Sequence, residues 1–121
     1  MSEDPIDGQV LLLTGAKASI TPTQLPPLIE RVQEALATEL EALATQYECI
    51  YETDGRAVFL VEAGYWEDLG AELALERREW NAVRRAHTEQ FTRFGRRCDR
   101  LAEFEAALEI RDPVIVARPY E

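Results

Sequence analysis

The stretch Tyr47-Glu48-Cys49-Ile50-Tyr51-Glu52-Thr53-Asp54-Gly55-Arg56-Ala57-Val58-Phe59-Leu60-Val61-Glu62 decides the fold. Two runs rich in β-formers flank Asp54-Gly55. That dipeptide supplies the positive φ angles of a two-residue hairpin turn. In the second run Val58, Leu60 and Glu62 alternate with Ala57, Phe59 and Val61. Both sets are largely apolar, which predicts a strand inside the sheet rather than at its edge.

Working outward, the preceding segment reads as a helix over about 25–46. Leu28, Ile29, Val32, Leu36, Leu40, Leu43 and Tyr47 recur at three- and four-residue steps, marking one buried face. Glu30, Gln33, Glu34 and Glu41 occupy the opposite, solvated face. Pro26 and Pro27 suit the first turn, and Thr21 or Thr23 is placed to cap it. Further upstream, Gln9-Val10-Leu11-Leu12-Leu13-Thr14 reads as a short buried strand closed by Gly15. Gly15 to Ser19 reads as a loop, and residues 1–7 as frayed.

Downstream, Trp66, Leu69, Leu73, Trp80, Val83, His87, Phe91, Phe94, Cys98, Leu101, Phe104 and Leu108 keep to helical steps. One straight helix over this length would run about 65 Å at 1.5 Å per residue. A globule of this size has a radius of gyration of about 14 Å. A break at Gly95 is therefore expected, giving helices over about 65–94 and 97–109; a projecting dimerisation helix is the alternative. Asp112 to Ala117 reads as a last strand, begun by Pro113 and ended by Pro119.

These readings assemble into an α+β fold in a single domain over 1–121. A small, mainly antiparallel sheet around the 47–62 hairpin is packed on one face by a helix at about 25–46 and a long, broken helix at about 65–109. The expected core holds Leu11, Leu13, Ile29, Val32, Leu36, Leu40, Ile50, Phe59, Val61, Trp66, Leu69, Leu73 and Val83.

Charge is the second informative feature. The chain carries 13 basic and 23 acidic residues, a net charge of −10, and Lys17 is its one lysine. Eight arginines fall in one band: Arg77, Arg78, Arg84, Arg85, Arg93, Arg96, Arg97 and Arg100. This band is the candidate interaction surface. It suits phosphates or an acidic protein surface. Equally, it suits internal pairing with the Glu30–Glu41 helix or with Glu76, Glu79, Glu89 and Asp99. Two nucleic-acid architectures fit the element order. A winged helix would use 47–62 as the wing, although its recognition stretch, Ala37 to Gln46, carries Glu39 and Glu41 and no base. A helix-turn-helix would use Trp66–Leu75 and Arg77–Arg93, although its turn lacks glycine.

Chemistry-bearing motifs are few. His87, the one histidine, lies on the apolar stripe between Val83 and Phe91 and reads as a packed, hydrogen-bonded residue. Cys49 and Cys98 are far apart in sequence and read as buried thiols, not as a disulfide framework or metal site. Gly15-Ala16-Lys17 lacks the glycine spacing and the following Ser/Thr of a phosphate loop. No catalytic residue, cofactor or metal ligand is assigned, and enzyme activity is not expected.

Acidity with almost no lysine is the composition of cytoplasmic proteins in salt-accumulating cells, where strong salt screens self-repulsion. At Arg77-Arg78-Glu79-Trp80-Asn81-Ala82-Val83-Arg84-Arg85-Ala86-His87, and at Ala107-Leu108-Glu109-Ile110-Arg111, the chain resembles small acidic haloarchaeal proteins of no assigned activity. The resemblance implies a haloarchaeal cytoplasm and carries over no site residues. The expected role is a non-enzymatic protein-interaction or homo-oligomerising module acting through the aromatic helical stripe. A nucleic-acid-associated regulator using the arginine band is the alternative, and no membrane contact is expected.

Overall fold

The computed structural model describes residues 5–17, 20–21 and 23–117. Among them the fold is α+β, with six helices and three strands: α1 (Gly8–Lys17), α2 (Leu25–Thr38), α3 (Leu40–Gln46), β1 (Glu48–Glu52), β2 (Arg56–Glu62), α4 (Tyr65–Glu72), α5 (Arg77–Arg97), α6 (Leu101–Ala107) and β3 (Arg111–Ala117).

The hairpin forms where it is predicted. β1 and β2 pair antiparallel, with Cys49 opposite Phe59 and Tyr51 opposite Val58, so Ile50 is bulged out. β3 pairs antiparallel with the other side of β2, giving the order β1-β2-β3. The apolar second run is thus the central strand, buried from Arg56 to Val61. The turn differs from expectation. The left-handed backbone positions among the described residues are Gly64, Ala74 and Asp99, so Asp54-Gly55 closes without positive φ. Instead, Thr53 Oγ1 accepts the amides of Gly55 and Arg56.

Several helix boundaries differ from expectation. The segment at 9–14 is helical: α1 begins after Asp7, whose carbonyl accepts the amides of Val10 and Leu11. A continuous apolar run does not by itself separate strand from helix. Residues 5–7 are also ordered in place, with Ile6 buried and Asp7 at the centre of a polar cluster, so the expected fraying does not extend to them. The helix at 25–46 is two helices, broken where Glu39 leaves α geometry. Its start is Gln24, whose side chain accepts the Thr21 amide, and no threonine caps it. The segment at 65–109 is three helices. The breaks fall at 73–76 and 98–100, where Ala74 and Asp99 adopt φ of 57° and 58°. The amides of Leu75 and Arg100 then reach back to the carbonyls of Gly70 and Gly95, closing a Schellman-type end on each helix. Gly95 is not the breaker. A Cβ there would stand 3.0 Å from the Phe104 ring, so its role is to let α6 fold back against α5.

Because β2 buries both faces, helices are needed on both, and the expected single covered face is corrected. On one side Tyr51 stacks on Phe94 at 4.9 Å, and Phe91 stacks on Phe104 at 4.3 Å, so α5 and α6 cover it. On the other side Leu40 and Ala44 of α3 border Cys49, Ala57 and Phe59. The outer edge of β3 is closed by side chains from three helices. Trp66 Nε1 donates to the Pro113 carbonyl, and the Ile115 amide donates to His87 Nδ1. Gln33 then donates to the Ile115 carbonyl and accepts from the Ala117 amide. Gln33 is therefore not on a solvated face. It stands in for a neighbouring strand, which hides an edge otherwise open to pairing.

The core matches the expected set, with α1 as the exception. Leu11 is half-buried and Leu13 is 54% exposed. Leu40 and Leu73 are half-buried against the core.

Candidate interaction surface

α5 positions the arginine band. Its first turn is fixed by a capping box between Glu76 and Glu79. From there the helix runs through the middle of the molecule, burying Ala82, Val83, Ala86, His87, Gln90, Phe91, Phe94 and Gly95. The aromatic stripe is therefore inside the protomer and is not a surface for self-association; nor does α5 project from the body.

The arginines separate into three environments. Towards the C-terminal end, Arg93 and Arg97 converge on Asp7 together with Arg56 of β2. Arg56 Nη1 lies 3.1 Å from Asp7 Oδ1, Arg97 Nη2 3.2 Å from Oδ2, and Arg93 Nε 3.5 Å from Oδ2. The fully buried Gln90 amide adds a hydrogen bond to Oδ2 and accepts the Asp7 backbone amide at 2.7 Å. The side chain of Arg56 is only 9% exposed, and its guanidinium lies 4.6 Å from the centre of the Phe94 ring. Burial pushes the Asp7 carboxyl pKa up. Hydrogen bonds from Gln90 and Arg56, with the charges of Arg56 and Arg97, outweigh that and hold it below its ordinary value of 3.8.

Arg100 and Arg84 are held locally. Arg100 donates twice to Glu103 and once to the carbonyl of the bulged Ile50. Arg84 donates to Asn81 and lies 3.5 Å from Asp112. These contacts leave the acidic Glu30–Glu41 face out of the pairing altogether. Among the described residues, the carboxylates that meet the band are Asp7, Glu76, Glu103 and Asp112.

Arg77, Arg78, Arg85 and Arg96 are exposed. Arg78 is paired with the exposed Glu76 at 3.3 Å. Arg77 and Arg84, with Trp66, Trp80, Asn81, Gly64, Glu67 and Asp112, line an open cleft of about 370 Å³. Its two cations are matched by two carboxylates. Trp80 reaches it by lying over Gly70, where any Cβ would collide with the indole.

The feature that sequence reading missed lies beside the band. α1 runs antiparallel to α5: Asp7 meets Arg97, Gln9 Oε1 accepts from Arg93 at 2.6 Å, and the Lys17 carbonyl accepts from Arg85 at 3.2 Å. Val10 is buried under α1, whereas Leu12 is 70% exposed and Leu13 54%. Gln9, Leu13 and Lys17 follow one another at four-residue steps and so share one side of the helix. Leu13 thus sits between the two points at which α5 arginines cross onto α1. Only the helical reading of 8–17 places these leucines outward, and the strand reading concealed them.

His87 is buried as expected, with its ring 4.8 Å from Trp66. Accepting at Nδ1 requires a neutral imidazole with its proton on Nε2, and burial pushes its pKa down to about 3. It is a strand cap. Cys98 is half-buried, but Cys49 is exposed, contrary to expectation. Among the described residues no group of His, Cys, Asp and Glu forms a metal cluster, and no helix is long and apolar enough to cross a membrane.

A family model described as a domain of unknown function, DUF8048, matches residues 4–118. The chain belongs to the DUF8048 family. No curated protein and no solved structure matches it. The DUF8048 match spans α1 as well as the sheet, so the Asp7 cluster and the exposed leucines both fall within the family domain.

Proposed function

We propose that this chain is a non-enzymatic protein-interaction module of a salt-accumulating, haloarchaeal cytoplasm, and that its contact surface is the face formed by α1 and α5. One observation carries the reading: two consecutive leucines, Leu12 and Leu13, stand out from α1 beside Lys17, Arg85 and Arg93 on a chain of net charge −10. Exposed leucines are ordinary when scattered, but adjacent ones on a helix that two α5 arginines bridge suit a docking patch. The groups best suited to chemistry support the same reading through their structural duties. His87 holds β3, and Asp7 holds α1 to α5. Light scattering and affinity isolation from host extract in molar potassium chloride test it, comparing the native chain with Leu12→Glu/Leu13→Glu. Association with another protein, or with a second copy, that the double substitution removes is expected. Association indifferent to the substitution would overturn the reading.

The nucleic-acid alternative draws on the exposed Arg77, Arg78, Arg85 and Arg96. α4 and α5 do meet through a short turn, with Ala74 at positive φ where glycine is usual. Two features weigh against it. One face of α5 is buried from Ala82 to Gly95, which keeps the helix from seating in a groove as a free recognition helix does, and β3 pairs along the hairpin that would serve as a wing.

A further inference from the structure

Resting on that reading, we propose that the α1–α5 face binds an acidic amphipathic helix of a partner protein, its apolar side chains on Leu12 and Leu13 and its carboxylates on Lys17, Arg85 and Arg93.

The dimensions suit a helix. Gln9 and Lys17 are separated by about 12 Å along α1 at 1.5 Å per residue, and Arg85 and Arg93 by the same span along α5. Two turns of an incoming helix therefore meet an arginine at each end, with Leu13 of α1 and the half-buried Glu89 of α5 between them. The arginines are positioned before any partner arrives. Arg93 is held by Gln9 and Asp7, and Arg85 by the Lys17 carbonyl. Each is anchored through one guanidinium nitrogen or two, and a guanidinium has five N–H donors, so donors remain for a carboxylate. Arg96 adds an exposed cation farther along α5.

Charge selects the occupant. The rest of the chain is strongly acidic and repels an anionic partner, so such a partner is steered onto the α5 arginines, where Arg85, Arg93, Arg96 and Arg97 outnumber Glu89. A second copy fits less well. Most self-association is two-fold, and a two-fold contact lays this cation-rich patch on its own copy. Two leucines provide little apolar area for a lipid surface, and the net charge opposes anionic lipid. Phosphates gain nothing from leucines.

Fluorescence anisotropy on the intact chain tests the proposal. The probe is a labelled synthetic helix with leucine on one face and glutamate on its flanks, and its companion carries lysine in place of glutamate. The glutamate helix is expected to bind at least about tenfold tighter than the lysine helix, as a few screened charge pairs allow. Leu12→Glu/Leu13→Glu should lose at least about tenfold for the glutamate helix. Lys17→Glu/Arg85→Glu should invert the preference towards the lysine helix, a gain that a misfolded protein would not show. Far-UV circular dichroism confirms that both variants keep their helices. Equal affinity for the two helices, or affinity unmoved by both variants, would overturn the proposal. So would binding to phosphatidylserine vesicles or duplex DNA in preference to the glutamate helix. Light scattering distinguishes a wrong partner from a wrong surface. If neither helix binds but Leu12→Glu/Leu13→Glu abolishes an oligomer, the occupant is a second copy and only the choice of partner fails. If no association of any kind depends on the leucines, both readings fail.

Discussion

α5 has two polar sides that differ in what they meet. On the inward side His87 and Gln90 are fully buried and tied to backbone or carboxylate: His87 to the edge of β3, Gln90 to both the amide and the carboxylate of Asp7. On the outward side Arg78, Arg85 and Arg96 stand in solvent. One helix thus supplies both the bonds that fasten the outer elements and the charges that remain available to a partner. Buried polar groups are costly when unmatched and exposed ones nearly neutral. Substitutions on the two sides should therefore differ in kind as well as in size.

The largest effect is expected at Asp7. Asp7→Ala leaves Arg56, Arg93 and Arg97 converging on a site without its carboxylate and orphans the Gln90 amide. A loss of about 3 kcal/mol follows from breaking a largely buried charge pair. Urea unfolding, read as a shift in midpoint at unchanged slope, measures it. A loss below about 0.5 kcal/mol would show that α1 is held by apolar contacts alone.

Acid should act on His87 and on the Asp7 carboxylate that Gln90 holds. His87 titrates at its ordinary 6.5 when unfolded but near 3 when folded. The unfolded chain therefore takes up the extra proton, and stability falls as pH drops below 6.5. The expected slope is about 1.4 kcal/mol per pH unit down to the folded value. Asp7, with its folded pKa depressed, contributes stability above its ordinary 3.8 that is lost as pH falls through the lower folded value. Thermal melts between pH 7 and pH 5 isolate the histidine. His87→Gln, which retains an acceptor for the Ile115 amide, should flatten the slope in that window.

The outward side was partly legible in the sequence, and the inward side much less so. The hairpin, the last strand and the burial of His87 followed from alternation and periodicity, which are local signals. The eight arginines were visible as a band, but their partners were not. Asp7 is one carboxylate among 23 acidic residues, and its one mark in the sequence is its place before Gly8, where aspartate suits a helix start. The run Val10-Leu11-Leu12-Leu13 has no polar residue to betray its period. Whether it is strand or helix is settled by Asp7 and by packing on α5, both of them long-range. Gln33 read as solvated because its edge-capping role depends on β3, more than eighty residues away.

Ala74 sharpens the comparison at the end of α5 where the arginines are most open. It holds φ of 57° in the turn that delivers Arg77 and Arg78, a conformation that strains any residue with a Cβ. Ala74→Gly relieves the strain and loosens the unfolded chain, two opposed effects. A net gain of about 1 kcal/mol is expected where the native angle is left-handed. A higher melting temperature with unchanged circular dichroism is the supporting result; a lower one would mean that the turn is not strained.

The smallest effect on stability is expected where the charge is most conspicuous. Among the described residues Arg78 pairs with the exposed Glu76, and Arg85 touches the fold through the Lys17 carbonyl. Exposed pairs of this kind contribute little. Arg78→Glu/Arg85→Glu should therefore shift stability by no more than about 0.5 kcal/mol in molar salt. As salt is lowered the variant should become the less stable of the two, because it adds negative charge to an acidic chain and screening weakens. Melting temperatures from molar to decimolar potassium chloride check this. A large loss that persists in high salt would place these two arginines with the inward groups and leave α5 with a single polar role.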